Sequence, residues 1–137
     1  MLGFQLTLLS LAGVISILFG LRYFATKQFM PYHAVVAGKS WAELEGGVQV
    51  IIVGMLRIIA GGLTTYGLAL LWLLVPLSGR QLWAAWAALT LTAATVLPTL
   101  YVTIALRRAA PKARTPVVPA AIVLVMAIAG AAISFAL

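Results

Sequence analysis

The 137-residue chain is 64% hydrophobic and only 8% charged, against about a quarter charged in a soluble domain. That excludes an ordinary globular fold and points to an all-α integral membrane protein. Cysteine is absent, which excludes disulfide scaffolds, thiolate catalysis and cysteine-held zinc, haem or iron–sulfur groups.

Four apolar runs reach the roughly 20 residues that a bilayer crossing needs, at about 2–24, 41–76, 81–107 and 117–137. The expected fold is a single transmembrane domain over 1–137, an antiparallel bundle of four transmembrane helices. A net charge of +7 would suit nucleic acid, but its placement has another cause. Arg22, Lys27 and Lys39 follow the first run and Arg107, Arg108, Lys112 and Arg114 the third, whereas only Arg80 follows the second. This asymmetry follows the positive-inside rule and puts loops 25–40 and 107–116 in the cytoplasm, with both termini outside a bacterial inner membrane. The partner that the charges imply is the lipid bilayer, including its anionic lipids, and not nucleic acid.

The first run lacks the basic leader of a secretory signal and is too long for one, so it is expected to remain as a helix. Its Ser10, Gly13 and Gly20 allow another helix to come close. It has no carboxylate, unlike small multidrug transporters, whose coupling uses a glutamate in the first span. The loop that follows contains Pro31 and then Gly38, the order of a short helix, and its Phe29, Met30, Tyr32, Val35 and Val36 are too apolar for a free loop. A short interfacial helix over about 29–38 is expected. His33, the sole histidine, lies there.

Ser40-Trp41-Ala42-Glu43 has the form of a capping box opening the second span at 41. At about 100° per residue, Glu45, Gln49, Arg57, Ala60 and Thr64 share one side of that helix. Its other faces are aliphatic or glycine, so the stripe is expected to turn into the bundle. Gly47, Gly54 and Gly61 recur every seven residues and form one seam for close approach, within the chain or to another protomer. The stretch Met55–Gly62, MLRIIAGG, is similar to DoxX-like small membrane proteins over about one helix; no functional residue carries over from it, and no family is assigned.

A short turn from Pro76 to Gln81 makes the second and third spans an expected hairpin, with Arg57 opposite Pro98, Thr99 and Tyr101. Pro98 frees the carbonyl of Ala94, so Arg57 is expected to donate there and to Thr95 or Thr99. In the last span, Ala127 with Ala131 and Gly130 with Ser134 are small pairs suited to tight packing.

Two function classes survive. One is a non-enzymatic bundle that binds a lipid or apolar small molecule, or serves as an accessory subunit, with a homo-oligomer or a larger membrane protein as partner. Its ligand set would be Glu45, Gln49, Arg57, Thr64, Thr95 and Thr99. The other is a membrane-embedded enzyme or proton-coupled carrier for a lipophilic anionic substrate, with Arg57 as anchor and catalytic candidates His33, Glu43 and Glu45. No motif asks for a metal or another cofactor.

Overall fold

The structure, a computed structural model, describes residues 1–136. The chain order is α1 (Leu2–Ala25), α2 (Pro31–Ala37), a 3-10 turn (Trp41–Glu43), α3 (Gly46–Ser78), α4 (Leu82–Ala109) and α5 (Val117–Ser134). Helices α1, α3, α4 and α5 are long and apolar enough to cross a membrane, as in a multi-pass membrane protein. The expected fourth span stops short of 137, and Leu137 lies outside the described residues.

The second span begins later than its capping box suggests. Ser40 and Glu43 do form that box, but it closes only the 3-10 turn, after which Leu44 is extended (φ −85°, ψ 141°). Gln49 helps to hold the break. Its Nε2 donates to the carbonyls of Trp41 and Leu44, at 2.9 and 3.2 Å; the first oxygen also accepts from the Leu44 amide within the 3-10 turn, and the second gains from Gln49 a donor in place of a backbone one. At the far end α3 runs through Pro76 to Ser78, because a proline removes one helical bond without ending the helix where packing holds it. Leu77, only 1% exposed, supplies that packing, and the Ser78 hydroxyl donates back to the Val75 carbonyl. Arg80, in the left-handed region at φ 57°, then turns the chain into α4.

Helix α1 packs on α3 and α5, and α4 closes the remaining side against the same two helices. The α1–α3 interface depends on missing side chains. A Cβ on Gly67 would stand 2.5 Å from the Gly13 carbonyl oxygen, and one on Gly20 would collide with Thr64 Oγ1 and the Ala60 carbonyl. In lipid no hydrophobic gradient drives helices together, so such close backbone contact is itself the attraction. On the α5 side Gly130 meets Leu9, Ala127 and Ala131 are buried, and Gln5 Nε2 donates to Ser134 Oγ at 2.5 Å. The core between the helices accordingly combines Leu9, Leu70 and Leu77 with alanines.

The glycine seam of α3 does not take part. A Cβ on Gly47, Gly54 or Gly61 would meet nothing within 4 Å, so the close approach expected there is not made inside the chain. A second apolar cluster lies at the end of α1: Tyr23 and Met30 pack with Leu56 and Ala60 of α3, flanked by Phe19, Tyr32, Ile52 and Leu63. This is how the loop after α1 folds back. Pro31 starts α2, Gly38 at φ 65° ends it, and Phe29 and Met30 are buried ahead of it.

Candidate functional site

Arg57 does not reach α4. Its Nη1 donates to the carbonyl of Tyr23 at 3.2 Å, and its guanidinium carbon lies 4.8 Å from the centroid of the Phe24 ring. The last four carbonyls of a helix lack intrahelical donors and carry the negative end of its dipole, so Arg57 caps the C-terminus of α1 from α3. The expected bonds to the Ala94 carbonyl, Thr95 and Thr99 are replaced by local ones. The Thr99 hydroxyl donates to the Thr95 carbonyl at 2.7 Å, and Thr90, Thr92 and Thr103 likewise donate to carbonyls of α4, the usual habit of threonine in a helix. Thr92 also meets the Tyr66 hydroxyl at 2.9 Å.

The other sequence candidates are dispersed. Gln49 holds the 3-10 turn, and Thr64 packs against Gly20. Glu43 is exposed, and hydrogen bonds from the Ser40 hydroxyl and amide hold its carboxyl below the ordinary value. Glu45 is exposed at the start of α3. His33 Nδ1 accepts from the Met30 amide at 3.2 Å, its ring lies between those of Phe29 and Tyr32, and burial lowers its pKa. His33 is therefore a neutral acceptor that fixes the start of α2. Among the described residues no three His, Cys, Asp or Glu side chains gather as a metal site.

What the helices enclose lies elsewhere. A narrow chamber of about 80 Å³ runs between all four long helices, walled by Phe19, Leu63, Tyr66, Val96, Thr99 and Val123 among others. Phe19, Tyr23, Pro116 and Pro119 line both this chamber and a wider cleft of about 300 Å³, so the two adjoin. Arg22, Met30, Pro31, Tyr32, Arg114 and Thr115 complete the cleft. Of the six ligand candidates read from the sequence, Thr99 alone lines either space.

Local structure explains how the cleft is built. The chain from α4 to α5 makes two successive tight turns, the Thr115 amide donating to the Ala113 carbonyl and the Val117 amide to the Thr115 carbonyl. Pro116, at φ −78° and ψ 48°, approaches the inverse γ-turn geometry that such i to i+2 bonds require. These turns tuck Ala113 and Thr115 into the protein while Arg114 stays at the surface. Opposite, the Tyr23 and Tyr32 hydroxyls meet at 2.5 Å and join α1 to α2. Burial raises the Tyr32 pKa, so its phenol stays protonated. Thr115 is 7% exposed, and its Oγ1 is buried without a hydrogen-bond partner.

The cleft thus has a cation on each of two elements, a pair of phenols, an unpaired hydroxyl and an apolar extension into the bundle. Some of its residues were visible in the sequence but read differently: Arg22 and Arg114 as topology signals, Tyr32 as part of the apolar segment after the first span. The position of Thr115 gave no signal, since only the turns around Pro116 bury it. At the opposite end a pocket of about 10 Å³ beside Gln5, Arg80 and Ser134 has room for no more than a water. Comparison with known protein families, with curated proteins and with solved structures finds no match to this chain.

Proposed function

We propose that the protein is an antiparallel four-helix bundle of the bacterial inner membrane that binds a lipid or an apolar small molecule at the cytoplasmic end of the bundle. Loops 25–40 and 107–116 face the cytoplasm in this reading, and α2 lies at that interface as a flap over the site. The observation that carries the proposal is the pair of adjoining cavities, a chamber lined mostly by apolar side chains and a cleft with a polar rim. Ligand sites are typically of this kind, mostly apolar with a few convergent polar groups.

The enzyme or carrier alternative would need Arg57 free for substrate with Glu45 or His33 to exchange protons, whereas Arg57 and His33 are engaged in bonds within the chain and Glu45 lines neither cavity. One observation favours a second reading, an accessory or self-associating subunit: the seam of Gly47, Gly54 and Gly61 stands open on α3.

Native mass spectrometry of the protein released from nanodiscs of its own membrane tests the binding proposal. Wild-type protein is expected to carry a discrete bound mass, and Ala120→Phe, which fills the chamber wall on α5, is expected to lose it. A wild type that is released bare would remove the basis for a ligand site.

A further inference from the structure

We propose that the ligand is an anionic amphiphile, with part of an acyl chain in the inner chamber and its carboxylate or phosphate between Arg22 and Arg114 in the cleft. This inference rests on the binding proposal and adds the chemistry of the head group.

Three features of the cleft select that chemistry. First, Arg22 comes from the last turn of α1 and Arg114 from the connection into α5, so two cations distant in sequence line one cavity. The carboxylates of this chain, Glu43 and Glu45, are not among its lining residues, and Glu43 is engaged with Ser40. The negative end of the α1 dipole is met by Arg57 at the Tyr23 carbonyl, while the positive end of the α5 dipole opens beside Pro116 and Pro119. The field in the cleft is accordingly that of an anion site.

Second, Thr115 lines this cleft, and its hydroxyl is buried and unpaired. A polar atom withdrawn from water is costly without a partner, and a head-group oxygen would provide one. The Tyr23 and Tyr32 hydroxyls share one hydrogen bond, which leaves one proton of the pair as a donor close by. Guanidinium groups and a hydroxyl together suit carboxylate or phosphate oxygens. Third, the cleft continues into a space bounded by Phe19, Leu63, Val96 and Val123, which suits hydrocarbon and would not hold an inorganic anion. At about 80 Å³ against about 300 Å³, the chamber is the narrow part and takes only a few methylenes of one chain; the rest of that chain, and a second where the ligand has one, stays in the bilayer.

The test is titration of the full protein in neutral detergent micelles, read by native mass spectrometry, with four probes: oleate, oleoyl lysophosphatidate, monoolein and inorganic phosphate. Oleate and lysophosphatidate are expected to bind at least about tenfold more tightly than monoolein, and phosphate alone not to bind. Arg22→Gln and Arg114→Gln should each weaken the anions about tenfold and leave monoolein unchanged, with Arg22→Lys and Arg114→Lys recovering part of the loss. Thr115→Val should weaken the anions without affecting monoolein.

Equal binding of oleate and monoolein, or indifference to both Arg→Gln variants, would overturn the head-group inference and leave the binding proposal standing. Failure of all three acyl probes would overturn both. Ala120→Phe separates the cleft from the basic loops around it: if that variant keeps the preference for anions, the preference belongs to Lys27, Lys39 and Arg107 at the surface, and the inference is wrong. Phosphate binding as well as lysophosphatidate would likewise overturn the role given to the chain.

Discussion

Arg57 shows what one residue can and cannot disclose in a sequence. A charge inside an apolar run must find a partner, and the sequence states that need plainly. It does not state which helix supplies the partner, because the short turn after α3 makes α4 the natural neighbour, whereas the close glycine contacts bring α1 nearer. The carbonyl that Arg57 reaches belongs to the unpaired end of α1, a feature that only the spatial order of helices brings within range. Removing the guanidinium therefore takes away a charge-assisted hydrogen bond, worth about 1.5–3 kcal/mol where well formed, and a contact with Phe24 of about 0.5–1 kcal/mol. Arg57 is partly exposed, so the lower part of that range applies. Arg57→Gln should lower the stability of the micelle-solubilised protein by about 1–2 kcal/mol, measured by thermal or denaturant unfolding. Since Arg57 lines neither cavity, the variant should bind oleate as the parent does. A loss of binding at unchanged stability would return Arg57 to the ligand set.

At the scale of the helices, glycine spacing was legible as a signal but ambiguous in its use. Gly13 and Gly20 of α1 are seven residues apart, as are Gly54 and Gly61 of α3. The first pair meets α3 backbone and the second pair meets nothing. Period identifies residues that share a face; what that face touches depends on how the helix is rotated, which small residues on several faces leave open. The difference makes opposite predictions for one substitution. Gly67→Ala would set a methyl against the Gly13 carbonyl and Ile17, and overpacking of that kind costs about 1–3 kcal/mol. Gly54→Ala adds a methyl in open space and gains up to about 1 kcal/mol of helix propensity. Unfolding midpoints should therefore fall for the first variant and hold or rise for the second. A fall for Gly54→Ala, with dissociation of an oligomer on size-exclusion chromatography, would mean that another helix occupies the seam and would favour the subunit reading.

For the whole molecule, the four long helices were legible from composition and run length, because the requirement to satisfy every backbone group in lipid leaves little alternative to a helix. The placement of the bilayer follows less directly. Helix α3 has 33 residues, about 50 Å at 1.5 Å per residue, while a hydrocarbon core is about 30 Å thick. Arg57 pairs with the end of α1, which sets it near one edge of the slab, and the 11 residues from Gly46 to Leu56 then extend beyond that end. Apart from Gln49 they are apolar or glycine, with Val50, Ile51 and Met55 exposed, so in the proposed placement this part of α3 lies in the interface beside α2 and not in bulk water. Charge decides which edge that is. Arg22, Lys27, Lys39, Arg107, Arg108, Lys112 and Arg114 gather at the end with the cleft, against Arg80 at the other, and the proposed topology, which applies the positive-inside rule to them, turns the cleft to the cytoplasm. Because the chain has no native cysteine, a single introduced thiol reports without background. Lys27→Cys and Lys112→Cys should resist a membrane-impermeant maleimide in spheroplasts and react after permeabilisation, while Ser78→Cys should react in both. The reverse pattern would place Arg22, Arg114 and Thr115 on the outer side. The amphiphile would then have to enter from the outer leaflet, so the same labelling that fixes topology also fixes the leaflet from which the site is filled.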